Sequence, residues 1–297
     1  MVDDAKSAPT AGRGLPRISR ASAYWALYTL TLRQHLHGKR WLVMALLFSL
    51  PVGLAVVVRS AAPNVPPEAL EFTLAMMFMP QALLPIVALL YASGIIQDEQ
   101  DEQTITYLLL RPIPKWAIYT LKLLAVMTTT AVLVAVFTVL TYAAIYVGTQ
   151  VPIGELAARS FKAASIHALA VIAYCSLFGL MSLLTSRVLI VGILYTAIVE
   201  GLLANLPFSI RWITVIYYAR LIAYRTMTFQ VPRFNGGSED IAAEAWQFHV
   251  ASDPALTEHP QLATCIAVLV IASLVCTAIA GWLCTQREFH VKTPEKE

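Results

Sequence analysis

Residues 262–284, LATCIAVLVIASLVCTAIAGWLC, carry no charged side chain, and five more stretches are almost as apolar: 41–58, 72–96, 118–145, 163–184 and 188–206. A helix needs about 20 apolar residues to cross the hydrocarbon core of a bilayer. Inside that core every backbone N–H and C=O must find a partner within the protein. A continuous apolar run therefore reads as a helix, whereas a barrel strand would alternate. Charged residues make up 13% of the 297-residue chain, against about 25% in soluble domains. The chain is expected to be an all-α polytopic membrane protein. Its six transmembrane helices lie in a domain covering 41–284, with polar, disordered cytosolic tails at 1–18 and 285–297.

Pro80 and Pro85 remove two backbone donors from the second span and are expected to kink it. The third span exceeds one bilayer crossing, so it tilts or projects, and Lys122 near its start is placed to snorkel to the interface. Lys and Arg in the connections set the orientation. Lys6, Arg13, Arg17, Arg20, Arg33, Lys39, Arg40, Arg111, Lys115, Lys122, Arg187, Arg287, Lys292 and Lys296 fall on one side. The two short loops of the other side hold Arg59, Arg159 and Lys162. Both termini are thus expected in the cytosol. The first 20 residues show no apolar core with a small-residue cleavage site, so the first apolar helix reads as an uncleaved anchor. Cys175, Cys265, Cys276 and Cys284 all fall in apolar runs and read as small core hydrophobes. The net charge of +3 gives no nucleic-acid footprint.

Two regions resist a simple loop reading. Residues 19–40, SRASAYWALYTLTLRQHLHGKR, interleave aromatics and leucines with cations, the composition of an amphipathic helix lying in the membrane interface. His35 and His37, two apart, point away from each other on a helix and cannot share a metal. Beyond Pro207 the segment 207–261 opens with SIRWITVIYYARLIAYRTM. A seventh span there would bury Arg211, Arg220 and Arg225, each at about 2.5–3.5 kcal/mol. A re-entrant or interfacial outer helix followed by a polar cap is expected instead. Most of the six tryptophans fall near predicted interfaces, as an aromatic belt would.

Between the second and third spans runs SGIIQDEQDEQTITYLLLRPIPKW, residues 93–116. Ile105, Leu108 and Leu109 form an i, i+3, i+4 stripe. Asp98, Glu99, Asp101 and Glu102 are expected at the N-terminal end of a short helix, where its dipole favours negative charge. Arg111 stands at its end, and Pro112 and Pro114 stop it. The product is a capped amphipathic helix at the cytosolic surface, suited to docking a partner. No calcium-loop spacing accompanies the acids, and no residue of the chain is assigned to a metal or to catalysis.

The pattern of Gly94, Asp98, Glu99, Glu102, Gln103, Thr104, Leu108, Leu109, Arg111, Pro112, Ile113 and Lys115 resembles the signature of type-2 ABC transporter permeases. Gln103 stands where that family usually has glycine. The six-span layout, the interfacial first helix and the long segment after the fifth span resemble the family as well. The resemblance implies the membrane subunit of an exporter in a plasma (inner) membrane, paired with a second permease chain as a homo- or heterodimer. It also implies a separate ABC ATPase that holds ATP and Mg and docks on Asp98, Glu99, Asp101, Glu102, Thr104, Leu108, Leu109, Arg111 and Lys115, helped by 19–40. The chain itself has no Gly-x-x-x-x-Gly-Lys-Ser/Thr and so no phosphate-cradling loop of that kind.

Glu200 reads as the only acid within a span, roughly 20 Å from the inner boundary at 1.5 Å per residue from Arg187. An intramembrane carboxylate is a functional candidate by default, with Asn205 and Arg211 as its expected partners. Two alternatives to a transporter are an assembly or signalling factor built on an ABC-like module and an intramembrane enzyme. An enzyme requires convergent polar groups, and the spans offer Glu200 and His167 on different helices.

Overall fold

A computed structural model describes residues 20–101, 114–206, 209–232, 238–248, 256–257 and 259–286. It is all-helical apart from one small hairpin. Helix α1 (Arg20–His37) is separated by Gly38 from α2 (Lys39–Ala61). α3 is one continuous helix with three parts: an α-helical start at Pro67–Leu70, a widened π-helical stretch at Glu71–Leu83, and an α-helical remainder at Leu84–Asp101. α4 (Lys115–Tyr146) and α5 (Ile153–Leu184) follow. α6 (Val188–Asn205) widens to a π-helix at Thr196–Leu202 before a final 3-10 turn. A second 3-10 turn, Ser209–Ile213, leads into α7 (Val215–Thr226). Strands β1 (Gln230–Pro232) and β2 (Ser238–Asp240), the short α8 (Ile241–Ala245) and finally α9 (Leu262–Gln286) complete the described chain.

Among the described residues six helices are long and apolar enough to cross a membrane: α2, α3, α4, α5, α6 and α9. α7, at 12 residues, extends about 18 Å and falls short of the ~30 Å core. α3 and α5 are the most buried spans, and α2, α6 and α9 turn most of their surface outward. α5 is the hub, packing against α3, α4, α9 and α7. The outward leucines, isoleucines and valines of α2, α6 and α9 suit a hydrocarbon solvent, which gives apolar side chains no reason to hide.

Many polar groups inside the bundle are satisfied locally, although the buried Tyr91 and Tyr119 hydroxyls have no hydrogen-bond partner. The hydroxyls of Thr129, Thr130, Thr138 and Thr141 on α4 donate to the carbonyls four residues back, the usual solution where water is absent. Pro80 lies within the π-helical stretch of α3. Lys122 does not snorkel as expected: it is buried, and its Nζ donates to the Ile95 carbonyl of α3 at 3.3 Å. A packed neighbour's backbone takes the place of interfacial water. The four cysteines are free thiols, and Cys175, Cys265 and Cys284 are buried in the packing.

At the end of the bundle away from α1, the chain after α7 folds over the start of α3. Trp246 stacks among Phe72, Phe229 and Phe248 and donates its indole N–H to Met77 Sδ at 3.0 Å. Asp240 caps α8 through the amides of Ala242 and Ala243, each at 3.1 Å, and accepts the Tyr224 hydroxyl. Burial and that hydrogen bond push the Tyr224 hydroxyl up to about 12.

Two glycines of similar helical setting differ in what surrounds them. A Cβ at Gly192 on α6 would strike Leu89 of α3, itself buried, whereas nothing lies within 4 Å of one at Gly53. Gly192→Val is expected to lower stability by about 1–3 kcal/mol through overpacking. Gly53→Ala should be neutral or raise it slightly. Thermal unfolding of the two variants in one detergent distinguishes these outcomes.

Candidate functional site

Glu200 is fully buried in the widened part of α6. Its Oε2 accepts the Tyr174 hydroxyl at 2.9 Å and its Oε1 the Tyr195 hydroxyl at 3.1 Å. The remaining donors are backbone amides: Val215 N to Oε1 and Ile216 N to Oε2, both at 3.0 Å. These are the first two residues of α7, whose N-cap Thr214 serves Tyr217 N. A helix N-terminus presents unpaired N–H groups and a partial positive charge, so a carboxylate supplied from α6 completes it. Glu200 thus pins α7 to α6 and α5.

Its expected partners lie elsewhere. Arg211 stacks over the Tyr217 ring at 5.3 Å. The Asn205 side chain donates to the Gly201 carbonyl and accepts from Arg220 Nη1 at 2.9 Å. The expectation of an Arg211–Glu200 pair overlooked the backbone amides, and the cation within electrostatic reach of Glu200 is Arg220. Arg220 is buried too, and its Nη2 donates to Gln81 Oε1 of α3 at 3.2 Å. A short helix buries this arginine after all, because two amide oxygens receive it.

A second carboxylate corrects the reading of Glu200 as the only acid in a span. Glu71 opens the widened stretch of α3 with a fully buried side chain. It accepts Tyr142 OH at 3.0 Å, Tyr146 OH, and Arg159 Nη1 at 2.8 Å. Arg159 Nη1 also reaches Tyr146 OH at 3.0 Å, and its Nε faces Glu155 at 3.5 Å. One ion pair with two tyrosines therefore ties the start of α3 to the end of α4 and the start of α5. The sequence boundary at residue 72 missed Glu71 by one position. The available signals were Tyr142 and Tyr146 four apart on one helix face, and Glu155 and Arg159 likewise. Nearby, Arg59 of α2 donates to the Val65 and Val147 carbonyls, joining two connections at the same end.

His167 and Glu200 do not converge. His167 Nδ1 lies 3.0 Å from the Thr138 hydroxyl, whose proton goes to the Val134 carbonyl.

At the α1 end, α3 runs unbroken to Asp101. α3 thus includes Asp98, Glu99 and Asp101, the last residues described before the connection. No breaker stands between Ile95 and Asp101 to stop it. Lys115 begins α4, with Pro114 at its N-cap. Glu102, Thr104, Leu108, Leu109 and Arg111 lie outside the described residues.

Six apolar spans around a buried polar framework define a polytopic membrane protein. A family model described as ABC-2 family transporter protein matches residues 36–206, more than half of the chain, and the chain belongs to that family. It is accordingly a membrane permease component of an ABC transporter. No curated protein matches it.

Removing either carboxylate's support has a distinct signature. Glu200→Ala strips the Val215 and Ile216 amides of their acceptor, so those two amides should exchange hydrogen faster than the rest of α7. Arg159→Ala leaves Glu71 buried without its cation and should cost about 3–5 kcal/mol, whereas replacing Glu71 and Arg159 together by leucine and methionine should recover most of it. Hydrogen exchange by mass spectrometry and thermal unfolding read the two effects.

Proposed function

We propose that the chain is the membrane subunit of an exporter, coupling ATP hydrolysis on a separate ATPase to movement of a substrate across a plasma (inner) membrane. It works beside a second permease chain, the same or a sibling, with both termini in the cytosol. The ATPase, which carries the ATP and Mg, docks on the stretch 98–116, assisted by α1.

The reading is supported by the family match and by the run of acids Asp98, Glu99 and Asp101, which continues α3 toward its connection with α4. A cluster of carboxylates suits a basic partner surface. Displacement of the docking stretch would move α3 and α4 together, because Lys122 joins them through the Ile95 carbonyl and α1 packs along the start of α4. At the opposite end the Glu71 cluster links the same two helices to α5. A push at one end thus has a continuous path of packed helices and hydrogen bonds to the other.

Glu99→Lys with Glu102→Lys should abolish co-purification of the ATPase from native membranes while the permease still inserts and elutes as a folded species. Unchanged recruitment by that double variant would overturn the docking role.

A further inference from the structure

We propose that His167 of α5 positions α3. It is the hydrogen-bond donor for the Ala75 carbonyl, which Pro80 leaves without one, and the bond between them latches a hinge in the widened stretch of α3.

The need for a donor follows from the helix itself. In a π-helix the N–H of each residue bonds the carbonyl five residues back, as Leu84 N does with the Met79 carbonyl where the widened stretch ends. The fifth residue after Ala75 is Pro80, which has no N–H. The Ala75 carbonyl therefore has no donor in that ladder, and Pro85 removes another just beyond it. Ala75 is fully buried, so bulk water is not at hand to replace what proline withholds.

The replacement stands across the contact between α3 and α5. His167 is fully buried, and the Ala75 carbonyl lies beside its ring. In the described conformation Nε2 has no hydrogen-bond partner, so the two groups face each other with the bond not made. Nδ1 is held 3.0 Å from the Thr138 hydroxyl. A neutral imidazole has one N–H. Closing the latch puts that proton on Nε2, and the Thr138 hydroxyl turns its own proton from the Val134 carbonyl to Nδ1. Val134 lies inside α4 and keeps the Thr138 backbone N–H of its helix ladder. Buried polar groups of complementary kind are costly to leave apart, so the pair favours the conformation of α3 that joins them.

The stretch is suited to bending. Its outer end is fixed by Glu71, bound to Tyr142 and Arg159. Its inner continuation is fixed by the Ile95 carbonyl, bound to Lys122. Between those anchors lie two prolines and a π-helical ladder, the features at which helices kink. A bend there changes the direction in which α3 enters its connection to α4. His167 acts through the α3 backbone and is a positioning residue. Nothing in the latch depends on an ATPase, so its failure and that of the transporter reading are distinguishable.

Ala75 and Met76 form the chain's one Ala–Met pair. Carbonyl-labelled alanine with amide-labelled methionine therefore singles out the Ala75 carbonyl by solid-state NMR of the full chain in proteoliposomes. His167→Phe should move that signal upfield, as loss of a hydrogen bond does, and His167→Gln, which keeps a donor, should hold it near its native place. Pro80→Ala returns the ladder N–H, so in that background His167→Phe should leave the signal where it is. Hydrogen exchange by mass spectrometry should rise in His167→Phe by roughly fivefold within 76–84, the weight of one ordinary hydrogen bond, with 88–95 unchanged. An Ala75 signal indifferent to His167→Phe would refute the latch. So would a shift of equal size in the Pro80→Ala background, or exchange raised evenly along α3 and α5. If His167→Phe does not fold, spectra of the native chain with nitrogen-labelled histidine decide, the ring being identified by its loss in His167→Gln. A protonated Nε2 then supports the latch, and a bare Nε2 overturns it.

Discussion

A carboxylate within hydrocarbon persists only where fixed dipoles or a counter-charge replace the water it has lost, and this molecule is arranged around two such solutions. Glu71 uses a counter-charge, Arg159, supplemented by two phenols. Glu200 uses dipoles: two phenols and the open end of a helix. Each satisfied carboxylate also decides which helices sit together. The first joins α3, α4 and α5; the second joins α5, α6 and α7. α5 takes part in both through Arg159 and Tyr174, which accounts for its position as the hub of the bundle.

Both carboxylates lie in widened helical stretches, Glu71 at the head of one and Glu200 inside the other. π-Helical turns recur at functional sites because they redirect side chains and loosen the backbone ladder. Here the redirection has a visible use. Glu200 reaches amides on a separate helix, and Gln81, in the widened part of α3, receives Arg220 from that same helix. α7 is thus held at its N-terminus by a carboxylate from α6 and in its middle by a glutamine from α3. A segment of 12 residues with two buried or half-buried cations, Arg220 and Arg225, gains its position from other helices' side chains, because its own length and composition could not fix it in a membrane.

The spans were legible in the sequence because hydrocarbon imposes a long, continuous signal that hardly depends on tertiary structure. Helix ends were less so. Glu71 fell just outside a run drawn by hydropathy, since an acid lowers the local average whether or not Arg159 awaits it 88 residues later. Arg159 itself read as a loop cation for the same reason. Glu200 was visible as an anomaly, but its true partners were not, because backbone amides leave no trace in a residue pattern. The acids at 98–101 were visible as a cluster, yet their continuation of α3 was not, because no residue pattern there marks where one helix gives way to the next. Pairings are set by packing between distant segments, and sequence reasoning on one chain has no access to them.

The family match ends at residue 206, but the physical unit does not. Glu200 lies inside the matched stretch while its amide donors, Val215 and Ile216, lie outside it. Arg220 reaches back from outside to Gln81 and Asn205 within, and Trp246 reaches back to Met77. α9 packs against α5 and α4. If the matched stretch stood alone, Glu200 would be left with only its two tyrosine donors, and the aromatic face at Phe72 would be uncovered. The segment beyond 206 therefore completes the polar satisfaction of the permease core, supplying the amides for Glu200, the guanidinium for Gln81 and Asn205, and the aromatic cover over Phe72.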